Sequence, residues 1–177
     1  GILGWGPAVS LLGTEPTSVL ANRELFVIPL FLLMGSLASA GGLSDDLYRL
    51  ANAFLGHMRG GLAMATIGGC AGFGTVCGSS VATTATMARV ALPQMLARNY
   101  SPALAAGSIA AGGTLGILIP PSVIMVLYAF LTEQFIVDLF IAAIIPAVIA
   151  VTFDLFAIGI YMRINPGAAM ITARVPW

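Results

Sequence analysis

The sequence predicts an all-α polytopic membrane protein that contains a re-entrant helical hairpin and a discontinuous transmembrane helix. Hydrophobic residues make up 59% of the 177 residues and charged residues only 8%, whereas a soluble domain carries about 25% charged residues. Apolar segments recur along the whole chain. Two of these segments are interrupted by clusters of Gly, Ser or Pro, at positions where a simple membrane helix would continue.

The composition also excludes several classes of function. The 7 basic residues are all arginine and form no cluster, so nucleic acid is not expected as a partner. The single histidine, His57, lies in an interfacial segment, and no spacing of metal ligands or catalytic side chains is present. Cys70 and Cys77 lie about two helical turns apart, too far for a disulfide, and are expected to be small buried hydrophobic residues. No enzyme activity and no cofactor are predicted.

The first elements follow from charge and periodicity. Residues 1–24 are mixed and predict a truncated N-terminal loop or helix. Residues 25–42 are uncharged and predict a transmembrane helix, since about 20 apolar residues cross a bilayer. Residues 43–59 combine charges with a helical apolar stripe. They predict an interfacial amphipathic helix with Ser44 at its start.

Residues 60–97 predict a re-entrant hairpin, because two short apolar halves meet at a Gly-Ser-Ser sequence. A pair of complete spans is the alternative. Either arrangement places six arginines on one side of the membrane, which the positive-inside rule assigns to the cytoplasm: Arg49, Arg59, Arg89, Arg98, Arg163 and Arg174.

The remaining segments contain the second interruption. Residues 101–132 predict a discontinuous transmembrane helix, interrupted at Gly112-Gly113 and at Pro120-Pro121. Residues 135–162 predict a last transmembrane helix, and residues 163–177 a truncated C-terminal loop. The two ends of the chain are therefore expected to be cut.

The first interruption, within residues 74–86, offers polar groups at membrane depth. Ser79 or Ser80 can cap the following helix, and Thr83 and Thr84 lie one turn further on. Hydroxyls, free carbonyls and free N–H groups at a helix reversal can bind an ion or an anionic group. The alternative is that these hydroxyls only bond the preceding turn and hold helices together.

The second interruption frees backbone carbonyls. Pro120 cannot donate to the carbonyl of Gly116, and Pro121 cannot donate to that of Ile117. Each unsatisfied group in the bilayer costs several kcal/mol, and a hard cation such as sodium would offset that cost. A plain proline kink, relieved by neighbouring hydroxyls, is the alternative.

Two charged residues each have two interpretations. Arg89 could face an anionic substrate, or it could mark the cytoplasmic end of the hairpin. Asp154 could be an intramembrane carboxylate for a proton or an ion, or it could reach toward the interface near Arg163.

Several segments resemble the large permease subunit of tripartite ATP-independent periplasmic (TRAP) transporters. The resemblance extends over residues 24–162 in order. The sequence GTLGILIPPS and the Gly-Ser-Ser sequence are its most specific parts. The matching segments are residues 28–35, 60–66, 78–86, 90–93, 110–122 and 131–134.

The resemblance implies a sodium-coupled secondary importer of organic acids, such as C4-dicarboxylates or sialic-acid-like carboxylates, in the bacterial inner membrane. It implies an elevator mechanism, and as partners a small TRAP membrane subunit and a periplasmic substrate-binding protein. The hairpin and the discontinuous helix would then form a sodium site, with sodium as coupling ion. Its sodium ligands would include Ser79, Ser80 and Thr114. The full set of sodium and substrate-binding candidates is Ser79, Ser80, Thr83, Thr84, Gly113, Thr114, Gly116, Pro120 and Pro121.

Two departures from the family pattern affect these expectations. Asn99 stands where the family usually has glycine, which is a change within a loop. Nothing after Met162 resembles the second, inverted repeat of the family. The chain is therefore expected to hold about half of the site and not to transport alone, as one repeat of an inverted-repeat elevator transporter. A channel-like pore and a purely structural membrane subunit are the alternative functions.

Overall fold

The computed structural model describes residues 27–168, which fold into seven α-helices and one short 3-10 turn. The predicted segment 1–24 lies outside the described residues, as does the part of 163–177 beyond residue 168. In chain order the elements are α1 (Val27–Ala40), α2 (Leu43–Leu55), α3 (Gly61–Cys77), α4 (Ser80–Ala97), α5 (Pro102–Leu118), α6 (Val123–Thr132), α7 (Ile136–Ile164) and the 3-10 turn Pro166–Ala168.

Helix α3 is the central helix, and most of its residues are buried. Glycines on one face let α2 lie close against it. A Cβ added to Gly68 would lie 3.3 Å from the Cβ of Ala51, and one added to Gly72 would lie 3.3 Å from Leu47. Helix α3 ends at Cys77, and the Gly-Ser-Ser sequence follows directly.

The base of the α3–α4 hairpin is joined to the start of α5 by a buried tyrosine. The hydroxyl of Tyr100, in the turn before α5, accepts a hydrogen bond of 3.2 Å from the backbone N–H of Leu62. That N–H belongs to the first turn of α3, which has no acceptor within its own helix. Burial raises the pKa of Tyr100, so its hydroxyl stays protonated at neutral pH.

Helix α5 runs unbroken through Gly112-Gly113, so the interruption predicted at that pair is wrong. Both glycines are buried, because they are the places where α5 contacts the hairpin. A Cβ on Gly112 would lie 2.9 Å from the Sγ of Cys70, and one on Gly113 would collide with Thr84. The chain breaks only at residues 119–122, after which α6 continues at an angle of 40°.

By length and composition, α7 is the one helix among residues 27–168 that could cross a membrane by itself. It has 29 residues and exposes large apolar side chains such as Phe153 and Phe156. Two bent pairs could add a span each: α1 with α2, bent by 67°, and α5 with α6. These apolar helices are those of an all-helical membrane protein.

Candidate functional site

The hairpin reverses its direction within two residues. Gly78 follows α3 with a left-handed backbone (φ 59°), and its N–H donates to the carbonyl of Gly74 at 2.8 Å. Glycine adopts this conformation without steric cost. Ser79 is extended and caps α4, since its Oγ accepts from the N–H of Ala82 at 3.4 Å. Its carbonyl accepts from the N–H of Thr83 at 3.0 Å.

The hairpin tip packs on the break between α5 and α6. The N–H of Val123, the first residue of α6, donates to the carbonyl of Gly78 at 3.2 Å. A Cβ on Gly78 would lie 3.1 Å from the carbonyl oxygen of Pro121 and 3.3 Å from the Cα of Ser122. The two interruptions predicted from the sequence therefore meet, and we call residues 78–80 with residues 119–123 the tip–break junction.

Glycines bring the helix ends into backbone contact beside this junction. A Cβ on Gly74 would lie 2.9 Å from the Cα of Gly116. A Cβ on Gly116 would lie 2.6 Å from the Oγ1 of Thr83 and 2.8 Å from the carbonyl oxygen of Ser79. No side chain fits at either position without movement of backbone.

At the junction, the last carbonyl groups of two helices accept no backbone hydrogen bond. Within the described part of the chain, no backbone N–H donates to the carbonyls of residues 75–77 at the end of α3. The same holds for residues 116–118 at the end of α5, where Pro120 and Pro121 have no N–H to offer. Helix C-termini carry partial negative charge, so both ends favour a cation.

Ser122 adds a buried hydroxyl to these carbonyls. Its side chain is fully buried, and its Oγ has no hydrogen-bond partner among residues 27–168. Leaving a buried polar group unpaired costs about 1–3 kcal/mol. Sequence reasoning missed this residue, although a serine directly after two prolines lies by necessity in the break of the helix.

The predicted threonines lie on the α4 face that contacts α5. Thr83 is fully buried, with its Oγ1 3.2 Å from the Sγ of Cys77. The hydroxyl of Thr84 donates to the carbonyl of Ser80 at 2.7 Å, and its side chain fills the space beside Gly113. Thr83 is thus next to the junction, whereas Thr84 lies further along the hairpin.

The structure does not bring Thr114 to the junction. Its side chain is exposed, and its hydroxyl donates to the carbonyl of Ala111 at 2.7 Å. The predicted residues that do meet there, or contact it directly, share two elements, the hairpin tip and the break after α5. They are Ser79, Ser80, Thr83, Gly116, Pro120 and Pro121.

Two further sequence predictions concern the cysteines and Asp154. Cys70 and Cys77 are free and buried, as expected. Asp154 lies on α7, half-buried, in a groove of about 330 Å³ that Ser108 and Tyr161 also line. Most of the groove is lined by α5 and α7, and Ile67 of α3 also contributes to it.

The sequence is similar to proteins of one transporter family. Residues 2–173 match the family described as "Tripartite ATP-independent periplasmic transporter, DctM component". The C4-dicarboxylate TRAP transporter large permease protein of Pseudomonas aeruginosa is 38% identical over 178 residues, which is 95% of this chain and 42% of that protein. The corresponding protein of Vibrio cholerae is 39% identical over 164 residues, or 91% of this chain and 36% of that protein.

Relatives named for other substrates match as well. The ectoine TRAP transporter large permease protein of Halomonas elongata is 33% identical, over 84% of this chain and 34% of that protein. The isethionate TRAP transporter permease protein of Oleidesulfovibrio alaskensis is 38% identical, over 71% of this chain and 20% of that protein. The chain thus spans less than half the length of each of these relatives, which are permeases and not enzymes.

Proposed function

Because this chain belongs to the DctM family of tripartite ATP-independent periplasmic transporters, we propose that it forms part of a permease that couples sodium entry to uptake of an organic acid. The observation that carries the proposal is the tip–break junction. There a hairpin tip, a broken helix and the buried, unpartnered hydroxyl of Ser122 meet. The permease would work with a small membrane subunit and a periplasmic binding protein, in the bacterial inner membrane.

The contacts along the hairpin support re-entry into the membrane rather than two complete spans. The hairpin runs beside α5 from its base, at the Leu62–Tyr100 hydrogen bond, to its tip, at the Gly78–Val123 hydrogen bond. Beyond that point α6 adds 10 mostly apolar residues, or about 15 Å of helix. The hairpin therefore ends well before the α5–α6 pair does, so its tip would lie inside the bilayer.

The groups at the junction fit a sodium ion. Sodium is a hard cation that takes oxygen ligands, and the junction offers carbonyl oxygens of two helix ends together with the Ser122 hydroxyl. Ser79 and Ser80 add hydroxyls at the start of α4. Irregular backbone at membrane depth is tolerated where it lines such a site. We assign sodium binding to this group of oxygens, and not to Thr114.

The substrate class comes from the family. The relatives are named for C4-dicarboxylate, isethionate and ectoine, and each of these compounds carries a carboxylate or a sulfonate. We propose a small organic acid as the substrate. An elevator movement of the hairpin and the broken helix against the rest of the permease completes the proposal, and it rests on the family membership.

The test is sodium-driven uptake by the full-length permease, reconstituted in liposomes with its two partner proteins. Succinate, isethionate and ectoine serve as labelled substrates. We expect saturable uptake that requires a sodium gradient. The double variant Ser79→Ala/Ser80→Ala should lower this uptake at least about tenfold, since a hydrogen bond or ligand to a charged group contributes about 1.5–3 kcal/mol.

The matched control is Thr152→Ala, which removes an exposed helical hydroxyl that donates only to its own turn, at the carbonyl of Val148. This variant should keep the uptake of the wild type. Unchanged sodium dependence of uptake in the double serine variant would show that sodium does not bind at the junction. Flux without saturation and without sodium dependence would instead identify a channel-like pore.

A further inference from the structure

We propose that Arg89, Ser39 and Thr86 form a binding site for the oxyanion of the transported organic acid, in a pocket beside the hairpin tip. The inference deepens the proposed function and rests on it, because it concerns the cargo of the same permease. The pocket has a volume of about 490 Å³ and lies between α1, α3 and α4. It is separate from the oxygens of the tip–break junction.

Each of the three helices turns one face to the pocket. Helix α4 contributes Thr86 and Arg89, which are three residues apart and therefore neighbours on one helix face. Helix α1 contributes Ser36 and Ser39, which have the same spacing. Helix α3 contributes its last residue, Cys77. Polar side chains of α1 and of α4 thus line the same pocket, which Cys77 of α3 also lines.

The donors in this pocket suit a carboxylate or a sulfonate. The Ser36 hydroxyl donates to the carbonyl of Leu33 at 2.8 Å, so it is already used. The side chains of Ser39 and Thr86 are half-buried and line the pocket, so their hydroxyls can reach a bound oxyanion. Arg89 is the only charged residue among those lining the pocket within residues 27–168, and no acidic side chain accompanies it. A guanidinium together with hydroxyls recognises planar or tetrahedral oxyanions.

Cys77 lies between the pocket and the junction, so a bound anion and a bound cation could affect each other's binding through it. Helix α1 crosses the hairpin at the end of α3, where a Cβ on Gly35 would lie 2.8 Å from the Cβ of Cys77. The Sγ of Cys77 lies 3.4 Å from the carbonyl oxygen of Ser79 and 3.2 Å from the hydroxyl of Thr83. Cys77 lines the pocket and also contacts the tip, so an anion in the pocket and a cation at the junction would both lie near the end of α3.

The test measures the electrostatic preference of the pocket and needs no uptake. The full-length permease, with its native cysteines replaced by alanine, carries Ser36→Cys and is held in phosphatidylcholine nanodiscs. Ser36 lines the pocket but is not one of the three proposed ligands. Its reaction rates with an anionic sulfonate reagent (MTSES) and a cationic reagent (MTSET) are compared. We expect the ratio of these rates to favour the anionic reagent about tenfold more than at Thr114→Cys, since the Arg89 charge in the same pocket attracts the anionic reagent and repels the cationic one.

Adding Arg89→Gln should abolish this preference, whereas Arg49→Gln, which removes an exposed arginine of α2 outside the pocket, should leave it unchanged. Arg89→Lys should retain part of it, because the charge remains without the planar guanidinium. Equal rates for the two reagents in the parent protein, or a preference that survives Arg89→Gln, would overturn the proposal.

Protection experiments distinguish a transported anion from a lipid headgroup. Succinate or isethionate at millimolar concentration should slow the reaction of Ser36→Cys with MTSES. If neither compound slows it, the assignment to an organic anion is wrong, and protection by added phosphatidylglycerol alone would assign the pocket to a lipid phosphate. If the pocket shows the expected preference but the permease shows no sodium-driven uptake, the proposed function is wrong and the anion pocket still stands. If uptake is sodium-driven but the pocket shows no preference, only the anion pocket is wrong.

Discussion

Ser122 is the residue at which a structural role and a binding role predict different outcomes when the hydroxyl is removed. Ser122 is fully buried and its Oγ has no partner within residues 27–168. If the hydroxyl only filled space, its removal would relieve a desolvation cost and leave stability unchanged or higher. If it binds the cation, its removal weakens sodium binding while the fold is kept.

We therefore expect Ser122→Ala to raise the sodium concentration for half-maximal uptake about tenfold, with a melting temperature no lower than that of the wild type. The measurement is sodium titration of uptake by the full-length complex, with thermal unfolding of the same sample. The matched control is Ser108→Ala, which removes another buried hydroxyl, one that donates to the carbonyl of Ala105 at 3.0 Å. An unshifted sodium titration in Ser122→Ala would exclude that hydroxyl as a ligand.

Single residues also show where sequence reasoning works. Local chemistry predicted the Ser79 cap and the loss of hydrogen bonds at Pro120-Pro121, because both depend on neighbours along the chain. The orientation of Thr114 depends on which face of α5 meets the hairpin. The glycines at positions 112, 113 and 116 mark that face, and Thr114 lies off it; helical periodicity could have excluded Thr114 as a ligand.

At the scale of the helices, α5 can contact the hairpin closely because glycines of α5 have no side chain. Gly116→Ala would place a Cβ 2.6 Å from the Oγ1 of Thr83 and 2.8 Å from the carbonyl oxygen of Ser79. We expect it to lower the free energy of unfolding by about 1–3 kcal/mol and to abolish uptake. The measurements are thermal unfolding and transport by the full-length permease.

Gly107→Ala in the same helix is the control, because a Cβ at Gly107 has nothing within 4 Å. In an exposed helical position alanine is favoured over glycine by about 0.5–1 kcal/mol, so this variant should be as stable as the wild type or more stable. Equal stability of the two alanine variants would contradict the close packing of α4 and α5 at the junction.

The base of the hairpin provides a second test of how the elements are held. Tyr100→Phe removes the acceptor for the buried N–H of Leu62, at a cost of about 1–3 kcal/mol. We expect amide hydrogen exchange in the first turn of α3 to become at least about tenfold faster. Tyr128→Phe, at a side chain that is 56% exposed, should leave this exchange unchanged. Equal protection in both variants would argue against the Tyr100 bond as the closure of the hairpin base.

The Gly112-Gly113 pair shows why the continuity of a helix is hard to predict from the sequence. Two adjacent glycines favour an interruption when only the neighbouring residues along the chain are considered, so the sequence predicts one there. The helix continues because Cys70 and Thr84 of the hairpin occupy the space beside these glycines. Such a contact between segments far apart in sequence leaves no local signal that distinguishes it from a break.

At the scale of the whole molecule, the chain packs a hairpin tip against a broken helix, and the proposed cation site lies where they meet. It spans 42% of the length of its Pseudomonas aeruginosa relative, so each transport experiment proposed above uses a full-length permease. The all-helical fold and the membrane class followed from composition and apolar segments. The junction required the fold, because its groups come from residues about forty positions apart.

The most direct test of the junction is equilibrium binding of radioactive sodium to the purified full-length permease. The wild type should bind sodium saturably, and Ser79→Ala/Ser122→Ala should lose one sodium ion per permease, while Thr152→Ala retains it. Sodium bound by the double variant in the same amount and with the same affinity as by the wild type would contradict a cation site between the hairpin tip and the broken helix.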